Sequence, residues 1–202
     1  MLSVTRIEMT TGQRHEAANT SRADDARLIA RIRLRDMAAF EELYRLYHGR
    51  LTRFLFRLIH RPTLIEEVVN DTFVVVWDRA DTFNGASKLS TWIFAIAYRK
   101  AMKALRQQDE PVEDRQAELR ADPDHSPEDA LGHSWRQILL AQAIDELSPD
   151  HRAVVEFTYF QEMGYREIAV IMDCPVDTVK TRMFHARRHL KRRLAGQLPD
   201  WL

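Results

Sequence analysis

The sequence predicts an all-α protein of two small helical domains, residues 23–108 and 134–202, joined by a flexible acidic linker, 109–133. Three observations carry this. Apolar residues recur at spacings of three and four through most of both segments, as in helices with one face on a core. The stretch from Gly164 to Leu194 reads as two helices across a sharp turn, because Pro175 disfavours helical geometry at Cys174. Finally, the balance of 30 Lys and Arg against 30 Asp and Glu is a cancellation: residues 24–108 carry net +5, 109–133 net −7, and Val176–Leu194 net +6.

Residues 1–22 are polar and lack apolar periodicity, so a disordered N-terminal arm is expected. Asp24 and Asp25 open a first helix, where the helix dipole favours acids, and Leu28, Ile29 and Ile32 supply its apolar side. A long helical pattern follows from Met37 to Ile59, and Arg61-Pro62 ends it. Thr63 is placed to cap the next helix, with Glu66 three residues on completing a capping box. That helix is apolar nearly all round, with Phe73, Val76 and Trp77 among its members. Glu66, Glu67, Asn70 and Asp71 form an acidic and amide patch on it. By composition alone the patch serves equally well as an ordinary exposed face.

Asn84-Gly85 and its small neighbours make a loop of residues 81–87. Beyond it, Leu89, Trp92, Ile93, Ile96, Ala97 and Leu105 turn inward from a helix whose polar part is Lys88, Arg99, Lys100, Lys103 and Arg106. Trp92 reads as core, and Tyr98 among these cations is a surface on which an unpaired base could stack. The linker holds Pro111, Pro123 and Pro127. Ser134 to Leu147 forms a helix, Ser148 caps the next with Pro149 at its first position, and Ala153, Val154, Phe157 and Phe160 are expected to pack under the last two helices.

In the last helix Val179, Met183, Ala186, Leu190 and Leu194 fall in one narrow arc, with Thr181, Phe184, His185, Arg188 and Arg192 opposite. Such a helix suits a DNA major groove: cations hold phosphates and short polar side chains reach base edges. The plain alternative is a solvated basic helix.

Glu167-Ile168-Ala169, then Pro175-Val176-Asp177-Thr178-Val179-Lys180-Thr181-Arg182, then Ala186-Arg187 and Leu190 resemble region 4 of bacterial RNA polymerase sigma factors of the extracytoplasmic-function (ECF) subfamily of the sigma-70 family. The run from Asp36 to Tyr44 resembles the opening of sigma region 2. This chain departs from the family pattern at Asp177, where Gly is frequent, at Gly164, where Ser or Thr is, and at Arg99, which follows Ile96-Ala97-Tyr98 in place of Asn. The resemblance implies a region 2 helical bundle over 23–108 and a region 4 helix-turn-helix over 134–202. It also implies a function, binding of core RNA polymerase and recognition of −35 and −10 promoter elements in transcription initiation.

For residue roles it implies −35 contacts by Thr178, Lys180, Thr181, Arg182, Phe184, His185 and Arg188. Asn84, Ser87, Lys88, Arg99 and Lys103 would serve the −10 element, and Glu66, Glu67, Asn70, Asp71, Phe73 and Trp77 would dock on the β′ clamp helices, the β flap being a further polymerase contact. An anti-sigma factor, soluble or membrane-bound, is the other implied partner of a monomeric bacterial cytoplasmic protein.

A stand-alone helix-turn-helix regulator is the alternative. No Gly-rich phosphate loop or HExxH motif suggests an enzyme, no cofactor or metal is expected, and His185 and His189 lack a third ligand. The single cysteine, Cys174, excludes an internal disulfide and reads as a small buried residue. No stretch approaches the ~20 apolar residues of a membrane span.

Overall fold

The computed structural model describes residues 23–107 and 130–195, all helices and connections. The expected arm and nearly all of the expected linker lie outside these residues. The first half contains α1 (residues 23–33), α2 (Met37–Leu58), α3 (Pro62–Asp78), a 3-10 turn (Ala80–Thr82) and α4 (Leu89–Gln107). The second contains α5 (Ala130–Asp145), α6 (Pro149–Tyr159), α7 (Tyr165–Met172) and α8 (Val176–Leu194).

Local chemistry sets the boundaries. Asp36 caps α2, its Oδ1 accepting from the amides of Ala38 (3.0 Å) and Ala39 (3.2 Å), which satisfies donors that the first turn leaves free. Arg31 holds the same carboxylate at 2.8 Å and keeps it below the usual carboxylate pKa. The Thr63 cap expected from sequence does not form: the cap position falls two residues earlier, at Arg61, and α3 begins with Pro62 in its first turn. Proline's fixed φ suits that position and its missing N–H costs nothing there. Asp25 lies within α1 and reaches across to α4, where its Oδ2 accepts from the Leu89 amide at 3.4 Å. Ser148 precedes α6 without capping it, because its hydroxyl pairs with His151 Nδ1 at 2.6 Å. The α7 helix ends at Met172 on a left-handed Asp173 (φ +51°), and the Cys174 amide bonds back to the Ala169 carbonyl at 3.1 Å.

The two halves share one apolar core. Leu43, Leu51, Phe54 and Leu55 of α2 pack with Leu89, Ile93 and Phe94 of α4 at zero exposure, and Val154 and Phe157 of α6 join them. Phe157 stacks on Phe54 (4.7 Å) and meets Phe94 edge-on (6.0 Å), so an aromatic trio spans the boundary between halves. Across that boundary α7 packs on α4 and α6 on α2. Phe160 departs from expectation: it is 44% exposed and carries the Arg57 guanidinium over its ring at 3.7 Å. A smaller apolar cluster of Leu139, Ala143 and Leu194 ties α5 to α8.

Candidate nucleic-acid interface

The α8 helix presents a one-sided surface. Val179, Met183, Ala186 and Leu194 are buried, which fixes its rotation, while Lys180, Thr181, Phe184, His185 and Arg188 are exposed. Phe184 stands out at 61% exposure, and its ring meets His185 edge-on at 5.5 Å. Asp177 organises the first turn: it pairs with Lys180 at 2.9 Å, and its carbonyl accepts from the Thr181 hydroxyl at 2.9 Å. The hydroxyl oxygen keeps acceptor capacity toward a base edge. Thr178 is half-buried on this turn.

Arg182 is not on the outward face with the others. Its guanidinium turns inward to Asp150 of α6 and lies 3.8 Å from the Cys174 sulfur, with only a quarter of the side chain exposed. The reason is spacing: Arg182 follows Val179 by three residues and so flanks the buried stripe. Cys174 is correspondingly half-buried.

A second cationic surface lies on α4 and the loop before it. Gly85 adopts φ +74°, and the Asn84 side chain accepts from the Ala86 amide at 2.9 Å, a local turn that holds the loop open to solvent. Arg33 of α1 pins the other side of the loop by donating to the carbonyls of Ala80 (3.1 Å) and Phe83. Asn84, Arg99 and Lys103 are exposed and Ser87 is half-exposed. Lys88 is exposed but paired with Glu167 of α7 at 2.9 Å. Trp92 is half-buried against Phe83 at 5.5 Å, and Tyr98 is interior, its hydroxyl donating to Asp150 at 2.7 Å. Burial, then the Asp150 carboxylate, holds that phenol protonated.

The acidic face of α3 is exposed at Glu66, Glu67, Asn70 and Asp71. Asp71 additionally holds Lys100 at 2.8 Å. Phe73 does not belong to that face: it is 3% exposed and packs against Phe40 and Tyr44. Trp77 is half-buried, its ring 4.9 Å from Phe40 and under the Arg35 guanidinium at 5.2 Å. Both residues seat α3 on α2 and thereby set how the acidic face points.

Sequence reasoning missed the polar groups between the halves. Arg57 reaches both carboxylate oxygens of Glu156 at 3.1 Å, and Glu156 is 3% exposed. Arg152, 7% exposed, donates to the Leu58 carbonyl at the end of α2 and to the carbonyls of Ile144 and Leu147 around the end of α5. It also meets His60 Nε2 at 2.7 Å; burial, opposed by Asp145, holds that imidazole below its usual pKa. Arg152 and Glu156 stand four apart on α6, a spacing that reads as a surface ion pair. In the fold each takes a partner on α2 instead.

Two family descriptions match the chain: sigma-70 region 2 over residues 43–110, and sigma-70 region 4 over residues 137–190. The ECF RNA polymerase sigma-E factor of Salmonella typhimurium is 31% identical over 175 residues, covering 81% of this chain and 90% of that protein. The RNA polymerase sigma-H factor of Pseudomonas aeruginosa is 28% identical over 187 residues, 87% of this chain and 96% of that one. Among solved structures, the sigma factor RpoE of Bartonella quintana, crystallised with the anti-sigma factor NepR, superposes with a TM-score of 0.63 at 23% identity, covering 79% of this chain and 98% of that one. That likeness is one of fold.

Proposed function

Because the chain belongs to the ECF group of the sigma-70 family, we propose that it is a dissociable promoter-recognition subunit that binds core RNA polymerase and directs transcription initiation. The observation that carries this is a pairing of surfaces: an exposed acidic helix face on α3 in one half, and a one-sided basic recognition helix, α8, in the other. Residues 23–108 act as the polymerase-binding and −10 module, 134–202 as the −35 module, and 109–133 as the joint between them. Thr181 and His185 read base edges of the −35 element from the exposed face of α8. Thr178, Lys180, Phe184 and Arg188 flank them. Arg182 supports the helix from behind while it is paired with Asp150.

Asn84, Ser87, Lys88, Arg99 and Lys103 engage the −10 strand. Glu66, Glu67, Asn70 and Asp71 contact the polymerase clamp, with Phe73 and Trp77 as their support; the β flap is the site for the C-terminal half. The protein works as a monomer in the bacterial cytoplasm under the control of an anti-sigma factor, a reading supported by the company of relatives it keeps. Among the described residues no helix is long and apolar enough to cross a membrane.

Co-purification with core polymerase, followed by promoter-dependent runoff transcription, tests the reading. Specific transcripts that depend on added protein are the expected result. Dimeric footprints on palindromic half-sites without polymerase would instead favour a stand-alone regulator.

A further inference from the structure

The outward surface of α8 continues onto α6. His151, in the first turn of α6, sets its ring against that of His185, with 6.2 Å between centroids and 83° between planes. His185 is exposed and His151 half-buried, so the pair lies along the edge where α6 borders the open side of α8. The Ser148 hydroxyl engages His151 Nδ1 at 2.6 Å, which leaves Nε2 as the ring nitrogen available to a ligand.

The charges around the two imidazoles favour an anion. Asp150 neighbours His151 in the chain, but its oxygens are engaged by the Tyr98 hydroxyl of α4 and the Arg182 guanidinium of α8. Arg182 also lies 3.8 Å from the sulfur of Cys174, which follows α7. On the α5 side, Glu146 pairs with Arg193 at 2.8 Å and faces His189 Nε2 at 3.5 Å. Both carboxylates are thus committed, and among the described residues His151 and His185 have no ion pair of their own. Burial, then His185 and Arg182, lower the His151 pKa; Asp150 offsets this only in part, and His189 adds to the lowering. An imidazole so placed takes up its proton when a phosphate brings the negative charge.

The groove dimensions indicate which part of DNA His151 meets. A helix about 10–12 Å across fills a major groove about 12 Å wide, so its own outward residues meet the base edges. A side chain on a neighbouring element beside that helix meets the phosphates at the rim. We propose that His151 is a further DNA-contacting residue, holding a backbone phosphate beside the recognition helix through its protonated imidazole, so that binding tightens as pH falls. The proposal rests on the reading that α8 enters a DNA groove. The bond is charge-assisted, N–H to phosphate oxygen, and it lies next to His185 on the reading face.

The test is fluorescence anisotropy of the full chain with a short rhodamine-labelled duplex, selected for this chain from a random pool, at fixed salt. Affinity of the parent should rise roughly three- to tenfold between about pH 8 and about pH 6, where histidine titrates. His151→Gln should remove most of that rise, and near pH 6 it should lower the salt slope by about one, as one lost phosphate contact does. His151→Arg, a permanent cation, should show the acidic-pH affinity already at about pH 8. His48→Gln, on α2 with its ring 4.7 Å from Tyr44, is the control and should keep the parent profile. Circular dichroism checks that each variant is folded. A flat parent profile, or a parent-like profile in folded His151→Gln, overturns the proposal. So does a lost rise with an unchanged salt slope, which would make His151 only a support for α6. Parent-like affinity of His151→Arg at about pH 8 overturns it independently of the glutamine variant. A rise carried by His151 in a chain that never binds core polymerase supports the phosphate contact and overturns the promoter-recognition reading. Polymerase-dependent transcripts with a flat binding profile do the reverse.

Discussion

Helices α4 and α8 are both 19 residues long, both carry cations, and both are proposed here to meet DNA, yet they meet the rest of the protein differently. In α8 four buried residues form a single stripe, and everything opposite is free to face a ligand. In α4 nine residues are buried, including Thr91 and Tyr98, because α2, α3 and α7 all pack against it. The contrast teaches that α8 separates stability from recognition residue by residue, whereas α4 combines them. A substitution on α8 can be read as a binding effect; one on α4 needs a stability measurement beside it.

The largest expected effect contrasts two phenylalanines. Phe157→Ala removes a fully buried ring from the trio that joins the halves and should cost about 3–5 kcal/mol in urea unfolding. Phe184→Ala, on the open face of α8, should change stability by no more than about 0.5 kcal/mol while weakening −35 binding. Equal destabilisation by the two would break the division between stripe and face.

Next in size is Asp71→Lys. On the exposed side of α3 it loses the Lys100 pair, worth at most about 1 kcal/mol. Charge reversal at a protein interface costs several kcal/mol, so binding to core polymerase should be lost from a folded variant. Retention of wild-type co-purification would remove the acidic face from the docking surface.

The α8 face was legible in the sequence because its signal is local: Val179, Met183 and Ala186 recur at helical spacing, and the polar set follows from geometry. The helix order and the turn before α8 were legible for the same reason. What failed was either a choice between neighbours or a long-range partner. Thr63 looked like a cap, yet Pro62 was available one residue earlier and started the helix. Phe73 shares a helix with Asn70 and Asp71, and only the packing of Phe40 and Tyr44 shows that it points away from them. Asp150, Glu156 and Glu167 find partners 52, 99 and 76 residues away, beyond any periodicity. The joining of the halves was therefore the least legible feature.

A smaller effect tests the reading face of α8 itself. If Thr181 contacts a base edge, Thr181→Ala should cost about 1–3 kcal/mol at one −35 position, read by binding to a panel of single-base variants. Arg188→Ala, also exposed, should weaken all variants alike and lower the salt dependence. A uniform loss for Thr181→Ala would reduce it to a phosphate contact.

The smallest effect separates two carboxylates at the boundary between halves by the sign of their pH dependence. Burial raises the Glu156 pKa, and Arg57 and Gln161 only partly offset it. The folded state then binds the proton more tightly than the unfolded one, so stability falls as pH rises from the ordinary glutamate value through the raised one. Burial also pushes Glu167 up, but the Lys88 ammonium, the Gly164 amide and the Thr91 hydroxyl together outweigh it and its pKa is lowered. Its contribution is present above the ordinary value and is lost as pH falls through the lowered one. Urea unfolding across mildly acidic pH should show Glu156→Gln gaining on the wild type as pH rises, and Glu167→Gln losing ground over the pH range where Glu167 ionises. Glutamine preserves shape at both sites, so the difference in slope reports the charge alone. If both variants shift in the same direction, one of the two partners is misassigned, and the Lys88 contact is the first to doubt because half of that side chain is exposed.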